Sequence, residues 1–204
     1  MSNDDRWTGA RRIEEWAGET RVNLIRLAAL LVFYGHHLVN VYLFRDDPRI
    51  AGPFHLAVTA LVLAWSAEVV VLHLCLSRRY LPEWLKYAAT AVDIALVTAL
   101  LVVAGDPHTW LAALYVLVIA AAPLRLSLPL VYFATLGSMA AYGFFLGYAK
   151  FWLELGPEQR LSRPNQVIFA LALGAAGILA GQMVRQARRL AQGYPVTIEE
   201  TPAT

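Results

Sequence analysis

The sequence predicts an all-α polytopic membrane protein: a bundle of six transmembrane helices with both termini cytoplasmic. Three observations predict it. Of the 204 residues, 58% are hydrophobic and only 16% are charged, far from the composition of a soluble domain. Six apolar runs are separated by short polar connections, and the run from Trp84 to Gly105 has about the twenty residues a helix needs to cross a hydrocarbon core of roughly 30 Å. The basic residues, finally, are distributed unevenly between alternate connections, which orients the chain.

Residues 1–20 are polar, with Trp7, Ile13 and Trp16 set among Arg and Glu. This segment reads either as a short amphipathic helix on the membrane surface or as a partly disordered tail. It is too polar for a signal peptide, so the first span must direct insertion. The predicted spans run from Val22 to Phe44, Phe54 to Leu76, Trp84 to Ala104, Thr109 to Leu124, Leu128 to Ala149 and Gln166 to Val184. The fourth is the shortest, bounded by Asp106-Pro107 and by Pro123, because proline interrupts a helix. The longest connection, Lys150 to Asn165, carries Gly156, Pro157 and Pro164. Residues 21–190 then form the membrane domain and 191–204 a short cytoplasmic tail.

Twelve of the 17 Lys and Arg residues fall on one side: Arg6, Arg11, Arg12, Arg21, Arg26, Arg78, Arg79, Lys86, Arg125, Arg185, Arg188 and Arg189. Five fall on the other, Arg45, Arg49, Lys150, Arg160 and Arg163. The richer side is cytoplasmic by the positive-inside rule, and Trp84, Trp110 and Trp152 sit where interfacial anchors are expected.

Ionisable groups inside the spans are the candidates for function, since a charge there is costly unless it meets a partner, water or a ligand. On the first span Arg26, His36, His37 and Asn40 share one face, within about 100° of arc. On the second, Glu68 lies within about 60° of Trp65, and on the third Lys86, Thr90 and Asp93 fall in a similar arc. At 1.5 Å per residue, His36 and His37 lie slightly outside the midplane, Asp93 near it and Glu68 slightly inside, so that with Trp65 they are expected to meet within about 10 Å. His73 lies deeper and on another face, and is excluded. Such a set binds a polar ligand, relays protons, holds a metal, or simply satisfies its own members and fixes packing. No H-E-x-x-H or similar metal spacing occurs, and His36 and His73 stand at different heights, which argues against a bis-histidine haem. No resident cofactor is therefore expected.

The single cysteine, Cys75, excludes an internal disulfide and a multi-cysteine metal site. There is no phosphate-binding glycine loop, no nucleophile motif and no basic array for nucleic acid, so the chain is not expected to be an enzyme. Gly143-x-x-x-Gly147 and Gly177-x-x-x-Gly181 are small-residue spacings that let helices approach closely. They fall in opposite halves of the membrane and so pack against other helices, or form the seam of a homodimer.

The run from Leu85 to Leu128, LKYAATAVDIALVTALLVVAGDPHTWLAALYVLVIAAAPLRLSL, resembles the membrane sensor regions of bacterial histidine kinases, notably the six-helix kind of pilus-regulating kinases. Similar regions precede some bacterial adenylate and diguanylate cyclases. The likeness lies in a basic aromatic entry (Lys86, Tyr87), Asp93, the outer turn at Gly105 and Arg125 at the end of the fourth span, and it covers about a quarter of the chain. It implies a sensory or regulatory module of the bacterial cytoplasmic membrane. In such sensors the last helix drives an output domain, whereas here VRQARRLAQGYPVTIEETPAT meets Gly193 and Pro195 and no kinase or cyclase domain follows. The expectation is a stand-alone module that binds a small ligand or lipid at His36, His37, Trp65, Glu68 and Asp93. It would signal through Arg185, Arg188 and Arg189 to a separate partner. The alternatives are a small proton-coupled transporter, a cofactor-binding redox protein, or a purely structural subunit.

Overall fold

The computed structural model describes residues 3–43, 52–78, 82–106, 110–153 and 162–193, with side-chain surroundings from Trp16 to Leu190. The amphipathic side chains of residues 3–15, the anchor Trp110, the basic residues Arg45, Arg49, Arg79 and Arg160, and the tail beyond 193 lie outside what is described. Among the described residues every regular element is helical: α1 (Asn3–Tyr42), α2 (Pro53–Ser77), α3 (Glu83–Ala104), α4 (Leu114–Ala121), α5 (Leu128–Phe151) and α6 (Arg163–Gly193). Helices are what apolar runs form where no water can serve the backbone, because every N–H and C=O is then satisfied inside the segment.

Proline and glycine set the boundaries. Pro53 opens α2 and Pro82 precedes α3, positions where a missing N–H is harmless. Gly105 closes α3 in the left-handed conformation (φ 64°), its N–H returning to the Leu101 carbonyl at 3.1 Å, a turn that glycine adopts without steric penalty. α1 runs unbroken from Asn3 to Tyr42, through the polar start and the first apolar stretch alike.

Five helices are long and apolar enough to cross a membrane, within Trp16–Tyr42, Pro53–Ser77, Glu83–Ala104, Leu128–Phe151 and Arg163–Leu190, where the sequence predicts six spans. The fourth apolar run, Leu111–Arg125, is shorter. Its α-helical centre is flanked by 3-10 turns at Trp110–Ala113 and Ala122–Arg125. Because 3-10 geometry rises faster per residue, the run reaches about 26 Å rather than the roughly 22 Å of fifteen α-helical residues.

The apolar core belongs to α3–α6. Val97, Leu101, Tyr115, Ile119, Leu130, Val131, Phe145, Leu173 and Val184 are almost fully buried in one cluster. Neither α1 nor α2 contributes a buried residue to that cluster; only the half-buried Phe33 and Trp65 touch it. Outward-facing Leu31, Leu63, Leu136, Phe144, Leu171 and Ile178 are exposed, as on a surface solvated by lipid.

α1 and α2 are instead joined by a ladder of side-chain contacts. Trp16 Nε1 donates to the Leu76 carbonyl (3.2 Å), Asn23 Nδ2 to the Val69 carbonyl (3.2 Å), Tyr34 Oη meets Thr59 Oγ1 (3.3 Å) and His37 Nε2 meets His55 Nδ1 (3.1 Å). As one member climbs from residue 16 to 37, its partner descends from 76 to 55, the constant register of an antiparallel hairpin.

Small residues set the closest approaches. A Cβ on Gly18 of α1 would stand 2.5 Å from the Leu124 carbonyl oxygen, so α1 lies directly on the turn after α4. A Cβ on Gly177 of α6 would collide with the Thr135 side chain of α5, while those of Gly143 and Gly147 would meet open space. Gly177→Ala should therefore lower stability by about 1–3 kcal/mol through overpacking. Gly143→Ala should leave it unchanged or raise it by up to about 1 kcal/mol through helix propensity. Reversible unfolding in mixed micelles checks the pair, and equal effects would contradict the assigned packing.

Candidate functional site

Polar groups gather where α1, α2 and α3 meet. Arg26 projects from α1 and Asp93 from the middle of α3, each 6% exposed. Arg26 Nε donates to both Asp93 oxygens at 2.8 and 2.9 Å, and its Nη2 bonds Oδ2 as well. Trp65 of α2 donates its indole N–H to Asp93 Oδ1 at 3.0 Å. Glu68 of the same helix stands 3.9 Å from Arg26 Nη2. A charge-assisted, forked contact of this kind is the strongest polar interaction an apolar bundle can hold.

A second pair lies about two turns toward the N-terminus of α1. Arg125 of the turn after α4 pairs with Glu19 of α1 at 2.9 Å, and donates to Thr90 Oγ1 at 2.7 Å and to the Lys86 carbonyl at 3.3 Å. Glu19 and Arg26 are seven residues apart, two turns on one face of α1, and Thr90 lies one turn before Asp93. The two pairs thus form one vertical network: three carboxylates (Glu19, Glu68, Asp93) against two guanidiniums. Both Glu68 oxygens and Arg26 Nη1 are buried with no hydrogen-bond partner among the described residues.

Above this network a cavity of about 280 Å³ opens between α1, α2, α3 and α4. Arg26, Trp65 and Asp93 line one end of it, and Tyr34, His36, His37 and Asn40 the other. Between them the wall is aliphatic and aromatic, including Ala29, Phe33, Leu61, Val97, Leu114 and Val118. Pockets of this make-up, mostly apolar with a few convergent polar groups, are the usual form of small-molecule sites.

The residues singled out from sequence separate into two groups. Trp65, Glu68 and Asp93 come together around Arg26. His36 and His37 line the same cavity, but eleven residues along α1 from Arg26 to His37 is about 16 Å, and their partners lie at that far end. His37 pairs with His55 and stacks on Tyr34, and His36 meets Asn40 at 3.1 Å. His73 is exposed, away from the network. Arg26 and Thr90, named from sequence only as sharing a face with the candidates, and Arg125, named only in the resemblance, belong to the network, while Glu19 and His55 were not singled out; the seven-residue spacing of Glu19 and Arg26 on one face of α1 was the signal for Glu19. On α6, Arg188 donates from Nε and Nη2 to the Leu126 carbonyl at 3.2 and 2.7 Å, while Arg185 and Arg189 are exposed. No group of three or more His, Cys, Asp or Glu placed to hold a metal ion occurs among the described residues.

Removing one partner of a buried ion pair strands the other charge, which typically costs about 3–5 kcal/mol, whereas replacing both with apolar groups is often neutral or stabilising. Asp93→Asn should therefore destabilise the fold by about 3 kcal/mol, and the double change Arg26→Met with Asp93→Leu should recover most of that loss. Unfolding midpoints of the three proteins check this, and a double mutant no more stable than Asp93→Asn would remove the pairing from its central place. Compared with protein-family models, with curated proteins and with solved structures, the chain finds no match.

Proposed function

We propose that this chain is a stand-alone sensory or regulatory module of the bacterial cytoplasmic membrane. It crosses the bilayer six times, the fourth run included, with both termini inside. It binds a small ligand or lipid in the cavity between α1 and α4, carries no catalytic activity of its own, and passes the change to a separate signalling partner.

The observation that carries this reading is that the cavity and the ion network share Arg26, Trp65 and Asp93. An occupant therefore touches the groups that fasten α1 and α2 to α3. From Asp93 the contacts continue one turn down α3 to Thr90, across to Arg125, and through the adjoining Leu126 carbonyl to Arg188 of α6. α6 continues past its apolar stretch with exposed Arg185, Arg188 and Arg189, a basic end suited to an acidic protein surface or anionic lipid headgroups. The placement of Asp93 and Arg125, two residues that carry the likeness to kinase sensor regions, in one network supports the same reading.

Orientation is checked with Cys75 replaced by Ser. Ser77→Cys at the end of α2 should react with a membrane-impermeant thiol reagent only from the cytoplasmic side, and Ser162→Cys before α6 only from outside; the opposite pattern would invert the topology. The function is checked by native mass spectrometry on protein released with its surrounding lipid. A bound small molecule and a co-purifying signalling protein are expected. A bare chain with neither would remove the sensory reading.

A further inference from the structure

Two of the three carboxylates in the network are held as ions. Asp93 accepts from Arg26 Nε at 2.8 Å and from the Trp65 indole at 3.0 Å, and Glu19 pairs with Arg125 at 2.9 Å. Hydrogen bonds and opposite charges at such distances favour the ionised form of an acid. With these two acids set against Arg26 and Arg125, the network is already neutral.

Glu68 is placed differently. Neither of its oxygens has a hydrogen-bond partner among the described residues, and neither has appreciable surface that a water could reach. Arg26 Nη2 stands 3.9 Å away and is committed to Asp93. Arg26 Nη1 is unpaired too, so the guanidinium does not turn to Glu68 although it has donors to spare. The cavity brings no donor either, because Arg26, Trp65 and Asp93 line it and Glu68 does not.

An ionised carboxylate in this position lacks a donor, water and a counter-charge of its own, the three things that make a buried ion tolerable. The neutral acid needs none of them to balance a charge. We propose that Glu68 is a proton-binding site, holding its proton while Asp93 and Glu19 stay ionised. The ligand is a proton taken from water: it joins one carboxylate oxygen of Glu68, and release returns it to solvent. The charges packed around the site are Arg26 and Glu19 of α1, Asp93 of α3 and Arg125 of the turn after α4. Lys86 of α3 lies over the Tyr87 ring instead, and His73 of α2 is exposed. Release of the proton sets a second carboxylate beside Arg26, in competition with Asp93 for the contact that fastens α1 to α3. The site stands on the network alone and requires no occupant of the cavity.

Infrared spectra of the full chain near neutral pH, in maltoside micelles that carry no carbonyl of their own, test this. The C=O band of a protonated carboxyl lies apart from the bands of carboxylates and amides. The wild type should show such a band, shifted in deuterated buffer as an exchangeable proton requires, and lost from both Glu68→Gln and Glu68→Leu. Both variants should keep the wild-type unfolding midpoint or exceed it, because neither removes a charge from the network, whereas Asp93→Asn strands Arg26 and lowers it. Absence of an acid band from the wild type, or a band that survives both replacements, would overturn the assignment. So would a fall in midpoint in both variants as large as that of Asp93→Asn, which would make Glu68 an ionised partner of Arg26.

Discussion

The bundle depends on the pairing of Arg26 with Asp93. In lipid the hydrophobic effect does little to bring one apolar helix to another, so packing detail and polar contacts decide which faces meet. α3–α6 meet through close packing around Tyr115, Ile119 and Phe145. α1 gives that cluster no buried residue and is held to α3 by charge instead. A lone guanidinium or carboxylate at mid-height would be expelled or would draw in water; together, with the Trp65 indole on one oxygen, they fasten three helices at one point. The second pair, Glu19 with Arg125, does the same where α1 meets the turn after α4, and Gly18 removes the side chain that would hold the two apart.

This division explains where the cavity lies. The α1–α2 hairpin is attached to the rest near Glu19 and Arg26, by two ion pairs and the close approach at Gly18. Toward the other end of α1, its polar groups turn to α2 instead, through Tyr34–Thr59 and His37–His55. Over the intervening stretch the apolar walls of α1, α2, α3 and α4 enclose the cavity, with Phe33 of α1 reaching the α3–α6 cluster.

Much of this was legible in the sequence. The five long helices follow from run length and from Pro53, Pro82 and Gly105, and the brevity of the fourth run follows from Pro123. Trp65, Glu68 and Asp93 stood out because apolar spans rarely carry such groups. Arg26 and Arg125 were noticed but not placed in the site, since an arginine near a span end is counted first as an interfacial charge. Their depth is set by where the apolar stretch of a continuous helix begins. In α1 the helix runs unbroken through Glu19 and Arg26, and pairing with Arg125 and Asp93 keeps both buried. His36 and His37 share the face of Arg26, but helical periodicity fixes a face and not a partner. His55, the partner of His37, is identified only by the hairpin register. The 3-10 turns that lengthen the fourth run leave no mark in the periodicity of apolar residues.

The ladder between α1 and α2 limits how this protein can move. Its rungs are spread along the whole hairpin and share one register, so sliding α1 past α2 by a single turn would break all of them together. Turning either helix about its own axis would do the same. The two helices are therefore a plank rather than a pair of pistons. Fastened to the rest near Asp93 and Arg125, the plank can shift only as one body, and any shift of it bears on the turn that Arg188 grips.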